Sequence, residues 1–208
     1  MLQPQAVIFD IGNVLTSWQP EAFYDRVIGP ERRVALFDAV DLHGMNDLID
    51  AGALFRETIY DWAERYPDWS PEIRLWYDRW IEPASPRIEG SIALQRALRA
   101  KGVPVFALTN FGKHSFEEAL PQMDFLADFD RLYVSGRMGV IKPDPTIYAM
   151  LETDCGLAPE RLLFTDDRID NIAAAVRRGW RTHHFEGWQG WAARLVAEGL
   201  LTTKEAGL

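Results

Sequence analysis

Five short apolar runs punctuate the chain, and stretches of helical periodicity separate them. The runs are residues 6–9 (AVIF), 103–108 (VPVFAL), 131–134 (RLYV), 161–164 (RLLF) and 180–185 (WRTHHF). They favour β structure, and AVIF in particular reads as a strand buried on both faces. Between them, Ile92, Leu94, Ala97 and Leu98 fall at helical spacing ahead of Gly102, a glycine suited to the residue just past a helix end. Ser115 and Glu118 have the spacing of a capping box. Asp144 followed by Pro145 suits an N-cap and first helical position, ahead of Ile147, Tyr148 and Leu151. Asn171 to Arg178 is alanine-rich and stops at Gly179. Strands alternating with helices predict an α/β fold with a doubly wound parallel sheet.

Residues 17–85 break this rhythm, with many helix signals and no convincing strand. Leu54, Thr58, Ile59, Trp62, Ala63 and Tyr66 make one amphipathic stripe, ended by Pro67. Ser70 and Pro71 read as an N-cap and first helical residue, after which Ile73, Trp76, Tyr77 and Trp80 share a face. The pattern predicts a small all-helical lobe at 17–85, inserted after the first strand of a core built from 1–16 and 86–208. Four of the lobe's five tryptophans (Trp62, Trp69, Trp76, Trp80) are expected to pack its own core.

Composition narrows the partners. The 208 residues carry a net charge of -9, which disfavours nucleic acid and anionic membrane surfaces. An anionic substrate then needs a metal or local cations. Cys155 is the single cysteine, so no intrachain disulfide forms, in keeping with a reducing, cytoplasmic setting. Neither a signal peptide nor a membrane-spanning run is visible. A homo-oligomer is left open.

In an open parallel sheet, ligands bind beyond the carboxyl ends of the strands. Four polar groups sit there: Asp10 with Gly12 and Asn13, Thr109 with Asn110, Lys142 in Lys-Pro-Asp-Pro, and Asp166-Asp167 followed by Asp170. Singly, each has an ordinary reading as a cap, a turn or a solvated charge. Jointly they crowd several carboxylates together, which calls for a compensating cation. Oxygen-only ligands favour Mg²⁺, and no His/Cys set has zinc-ligand spacing.

The order D-x-G-N-V, T-N, K-P-D-P and D-D-x-x-x-D, with the helical insertion after strand one, resembles the haloacid dehalogenase-like hydrolases. The resemblance covers essentially the whole chain. It implies that Asp10 is a nucleophile forming an aspartyl-phosphate, and that Asp10, Asp166 and the Gly12 carbonyl ligate Mg²⁺. It also implies that Thr109, backbone N–H groups near Asn110, and Lys142 hold phosphate, with Thr109 and Lys142 assisting catalysis. Asp170 matches a supporting carboxylate, and Asp167 a direct or water-mediated ligand. The substrate implied is a small phosphorylated metabolite, such as a sugar phosphate.

One departure matters. Phosphatases of this family usually carry an acid two residues after the nucleophile, and here that position is Gly12. Losing a positioned acid typically costs about 10²–10⁴-fold for a poor leaving group. The sequence therefore points to an easy leaving group or to an acid supplied by the helical lobe.

Two rival readings are a 2-haloacid dehalogenase using Asp10 and a non-catalytic binding module. The resembling dehalogenases need no metal, carry Ser and Asn where this chain has Asp166 and Asp167, and use a cap arginine. Arg32, Arg33 and Arg56 do not have the spacing expected for that arginine. His43 and Asp47 are candidates for substrate contact from the lobe, and Lys113 a weaker one from the core.

Overall fold

All four side chains of β1 (Ala6–Phe9) are buried, because β1 is the middle strand of a sheet covered on both faces. Val7 and Phe9 join one hydrophobic cluster, Ala6 and Ile8 the other. On the first face Phe9 meets Trp191 edge-on, with ring centroids 5.6 Å apart. The computed structural model describes residues 3–208; residues 1 and 2, where the expected core segment begins, lie outside the described residues.

After β1 come five helices: α1 (Pro20–Ile28), α2 (Pro30–Ala39), α3 (Leu42–Asp50), α4 (Phe55–Arg65) and α5 (Ser70–Asp78). The chain then forms α6 (Glu89–Ala100), β2 (Val105–Thr109), α7 (Lys113–Ala119), β3 (Arg131–Val134) and a one-turn α8 (Ser135–Met138). It ends with α9 (Pro145–Cys155), β4 (Leu162–Asp166), α10 (Ile169–Arg177), β5 (Arg181–His184) and α11 (Trp188–Ala197). The strands pair in parallel in the order β3-β2-β1-β4-β5. Strand order therefore reverses between β1 and β4, and the crevice at their carboxyl ends is where such sheets bind ligands. Phe9 is in register with Thr165, and Asp10 N donates to Thr165 O at 2.9 Å, so Asp10 and Asp166 leave the sheet side by side.

Helices α1–α5 share their own core, which includes Tyr24, Leu36, Met45, Ile59, Ile73 and Trp76. The chain leaves and re-enters the sheet unit at one place. Thr16 bridges Arg87, Ser17 N donates to Pro86 O at 2.9 Å, and Ile88 N donates to Leu15 O at 2.8 Å. Trp76 is buried in the helical core, while Trp62, Trp69 and Trp80 are partly buried against it.

Three local expectations shift. Ser70 lies inside α5, whose N-cap is Trp69, because the 3-10 turn Pro67–Trp69 runs directly into the helix. Ser115 is likewise inside α7, and its hydroxyl donates to Gly112 O at 3.2 Å. Leu54 is exposed, and Phe55 takes the buried position at the start of the stripe. Asp144 does cap α9, accepting from Thr146 N at 2.8 Å, and Gly102 and Gly179 follow α6 and α10 with φ of +73° and +88°. Among the described residues, no helix is long and apolar enough to cross a membrane.

Candidate active site

Lys142 lies at the centre of the polar cluster and is wholly buried. Its Nζ sits 3.0 Å from Asp10 Oδ1 and 2.7 Å from Asp166 Oδ2, and donates to Leu108 O at 2.8 Å. The ammonium thus has two hydrogen-bond acceptors, Leu108 O and Asp166 Oδ2, and an ion-pair partner in Asp10. Burial alone would lower the lysine's pKa, but Asp10 and Asp166 override it and hold it above its usual value. Burial pushes the Asp10 carboxyl up to about 7 despite the pull of Lys142, and Asp166 and Asp167 add to the rise. A single lysine therefore undercompensates three neighbouring carboxylates.

Asp166 is saturated. Its Oδ1 accepts from Arg168 N at 2.8 Å and Asn171 Nδ2 at 2.9 Å, while Oδ2 accepts from Lys142 and, at 3.0 Å, from Asn171. Those bonds occupy about the four acceptor positions a carboxylate offers. Asp170, expected as the supporting carboxylate, is exposed in the first turn of α10 and lies outside the cluster. The supporting residue is Asn171, whose side chain shares the buried face of α10 with Ile172, Ala174 and Ala175. Its place as a buried polar residue on an alanine-rich helix, five residues past Asp166, is the signal that could have found it.

Asp167 is held differently. Its Oδ2 accepts from Asn13 Nδ2 at 2.9 Å, and burial raises its pKa. Asn13 takes a left-handed φ of 54° and also accepts from Trp18 N at 2.8 Å, so one residue ties the loop after β1 to the loop after β4. Asparagine tolerates that conformation better than most residues. Gly12 does not require it: a side chain there meets nothing nearer than Trp18 Cβ at 3.9 Å. Among the described residues, Asp10 Oδ2 and the Gly12 carbonyl oxygen accept no hydrogen bond. Oxygens of Asp10, Asp166 and Asp167 lie within 4.8 Å of one another, close enough to share a metal ion.

Thr109 is buried at the end of β2 and lines the cavity. The anion contact expected near Asn110 is one of backbone N–H groups, and the Asn110 side chain has a task of its own. Its Nδ2 donates to Lys142 O at 2.9 Å, and its Oδ1 accepts from Lys142 N at 2.7 Å, pinning the lysine's loop to β2.

Asp10, Gly12, Asn13, Thr109, Lys142 and Asp167 floor a cavity of about 310 Å³ roofed by the helical segment, with Asp166 behind them. The floor also holds Arg168, which the sequence reading missed. The roof contributes Trp18, Trp76, Trp80 and Phe55, with Glu21, His43, Asn46, Asp47 and Asp50. His43 and Asp47 thus face the site, His43 with its Nε2 2.9 Å from Glu21 Oε1, whereas Lys113 is not part of the wall. The roof brings neither lysine nor arginine. Arg32 pairs with Glu72 and stacks on Trp69, Arg33 pairs with Asp25, and Arg56 lies over Tyr60.

The pattern of the haloacid dehalogenase-like hydrolases matches residues 4–179. The chain is 32% identical over 96 residues to the (S)-2-haloacid dehalogenase H-109 of Pseudomonas putida, covering 46% of this chain and 42% of that one. It is 31% identical over 88 residues to the sesquiterpene phosphatase astK of Aspergillus oryzae, covering 42% and 44%. These matches span less than half of either curated relative. A solved HAD family enzyme of Bacteroides thetaiotaomicron, an Asp-to-Ala mutant in complex with magnesium and inorganic phosphate, superposes with a TM-score of 0.63 at 17% identity, covering 88% of this chain and 95% of that one. With the parallel sheet, the helical insertion after β1 and the carboxylate-lysine cluster in place, the chain belongs to the haloacid dehalogenase-like hydrolase family.

Proposed function

We propose that this hydrolase is a Mg²⁺-dependent phosphatase acting on a small phosphorylated metabolite, through an aspartyl-phosphate at Asp10. The observation that carries the reading is the carboxylate cluster around Lys142 beneath a roof without cations. The donor set fits magnesium: Asp10, Asp167 and the Gly12 carbonyl retain acceptor capacity, while Asp166 is occupied by Lys142 and Asn171. Bound there, the ion would neutralise phosphoryl charge and orient the transferring group. The solved relative from Bacteroides thetaiotaomicron holds magnesium and phosphate, which supports the same pairing here.

Asp10 attacks phosphorus with the oxygen that Lys142 leaves free. Thr109 and Lys142 hold the phosphoryl oxygens, and Asn110 fixes Lys142 against β2. Trp18, Trp76 and Trp80 offer flat apolar faces, and the acidic and amide groups of the roof offer hydrogen bonds to hydroxyls, a surface suited to a sugar or polyol leaving group. Residues 17–85 act as the cap that reads this group. The setting proposed is cytoplasmic, where the lone Cys155 stays reduced.

Dehalogenation is the weaker reading, because the clustered carboxylates call for a metal that the resembling dehalogenases do not use, and the cap, where those enzymes carry an arginine, turns neither lysine nor arginine to the cavity. The discriminating experiment incubates the purified protein with sugar and polyol phosphates and with 2-haloacids, with Mg²⁺ and with chelator. Phosphate release that chelation abolishes supports the proposal, and halide release indifferent to chelation sinks it.

A further inference from the structure

The Gly12 departure leaves the leaving oxygen without the usual acid, yet the cavity holds a carboxyl that no cation partners. Asp50 ends α3, the third helix of the cap, and is buried. Contacts on two sides fix it. On the cap side, Trp76 Nε1 donates to Asn46 Oδ1 at 3.1 Å, and Asn46 Nδ2 donates to Asp50 Oδ2 at 2.8 Å. On the core side, the Gly112 N–H lies close enough to the Asp50 carboxyl to pull its pKa down against burial. The main chain is clamped as well: Ser135 Oγ donates to Asp50 O at 2.6 Å and accepts from Phe111 N at 2.9 Å. A cap carboxyl is thus placed beside the loop that follows Thr109 and lines the same cavity as Asp10. Among the described residues it forms no ion pair, and its charged neighbours are Asp47 and Asp10.

Building on the phosphatase reading, we propose that Asp50 is the proton donor to the leaving oxygen. Burial first, then Asp47 and Asp10, raise its pKa to about 8, so the carboxyl carries a proton at neutral pH. In the first step Asp10 forms a bond to phosphorus, the bond from phosphorus to the leaving oxygen breaks, and the Asp50 proton goes to that oxygen, leaving an alcohol and an Asp50 carboxylate. In the second step water adds to phosphorus, its proton passes to Asp50, and the bond from phosphorus to Asp10 breaks. Phosphate departs with both aspartates restored. His43 also faces the cavity, but it is exposed, bonds to Glu21 and has no tie to the Thr109 loop.

The test is Asp50→Asn, which replaces a neutral carboxyl with a neutral amide of the same shape and can keep accepting from Asn46. Turnover is measured with Mg²⁺ on p-nitrophenyl phosphate, whose leaving group needs no proton, and on an alkyl phosphate such as glycerol phosphate. The expected result is a fall of about 10²–10⁴-fold in kcat for the alkyl ester, with the burst of p-nitrophenol release from the aryl ester, which reports the first step alone, changed less than about threefold in rate. Adding Gly12→Asp to the variant should recover much of the alkyl activity without touching the cap. An equal loss in the rate of the aryl burst would assign Asp50 a structural role and overturn the proposal, as would an alkyl loss that appears in His43→Gln and not in Asp50→Asn. A wild-type protein releasing phosphate from neither ester would overturn the phosphatase reading itself, and this proposal with it.

Discussion

Asn13 Nδ2 donates to Asp167 Oδ2 at 2.9 Å and so joins two loops that lie 154 residues apart in sequence. The bond aims Asp167 at the Asp10 side of the cavity. Asn13→Ala should weaken Mg²⁺ binding by about 10-fold, the scale of losing a residue that orients a ligand. It should also destabilise the fold by about 1 kcal/mol, because alanine resists the left-handed φ of 54°. Asn13→Gly should recover the stability and leave the metal defect. Calorimetric Mg²⁺ titration and urea melts of both variants separate the two effects; equal metal affinity in all three proteins contradicts the tether.

Lys142 is expected to matter for folding as well as chemistry. Lys142→Met leaves Asp10 and Asp166 buried and unpaired, and breaking such a pair costs about 3–5 kcal/mol. Saturating Mg²⁺ should reduce that deficit, since a bound cation replaces part of the missing charge. Thermal melts with Mg²⁺ and with Na⁺ at equal ionic strength give the comparison, and a variant no less stable than wild type in chelator removes the lysine from this role.

Asp10→Asn keeps size and removes the nucleophile. Phosphate release should drop to background, and an acid-stable mass increase expected of a trapped phosphoryl-enzyme should vanish from the peptide bearing residue 10. Normal turnover by this variant, with no deamidation detected, rules Asp10 out as nucleophile.

Much of this arrangement was legible because it depends on strand ends. The five apolar runs mark the strands to within a few residues, and Asp10, Thr109 and Asp166 follow β1, β2 and β4 or end them, so topology alone brings them together. Less legible were the residues whose role depends on which way a side chain turns. Asp170 and Asn171 are neighbours in sequence, yet only Asn171 lies on the buried face of α10. Nor did any local pattern show that the Asn110 side-chain amide matches the Lys142 backbone. Asp50 carried no signal at all. Its importance comes from Gly112, Ser135 and Phe111, contacts made across the junction between cap and core that no local pattern encodes.

Asp50 also gives the stability curve a definite sign. Its folded pKa of about 8 lies above its ordinary 3.8, so the folded protein holds an extra proton between those values. That contribution is complete below about pH 4 and is lost as pH rises toward 8, with a slope of at most about 1.4 kcal/mol per pH unit. Asp50→Asn has no proton to lose. Its stability relative to wild type should therefore improve steadily from pH 5 to pH 8 in urea unfolding. Parallel profiles across that range would show that the carboxyl is already ionised in the folded state.

Gly12 supplies the remaining prediction. Its φ lies outside the left-handed range, and a Cβ there meets only Trp18 Cβ at 3.9 Å, so Gly12→Asp should fold with wild-type stability to within about 1 kcal/mol. If the wild-type acid comes from the cap, an added acid two residues from Asp10 duplicates a function already present. Gly12→Asp alone should then change alkyl phosphate turnover little, while the slope of log kcat against leaving-group pKa stays shallow in both proteins. A steep wild-type slope that Gly12→Asp flattens, with chemistry shown to be rate-limiting, would mean that no cap residue delivers the proton. The enzyme would then depend on substrates whose leaving group departs without one, such as anomeric sugar phosphates or acyl phosphates, and the wild-type protein should prefer those over simple alkyl esters by at least about 10²-fold.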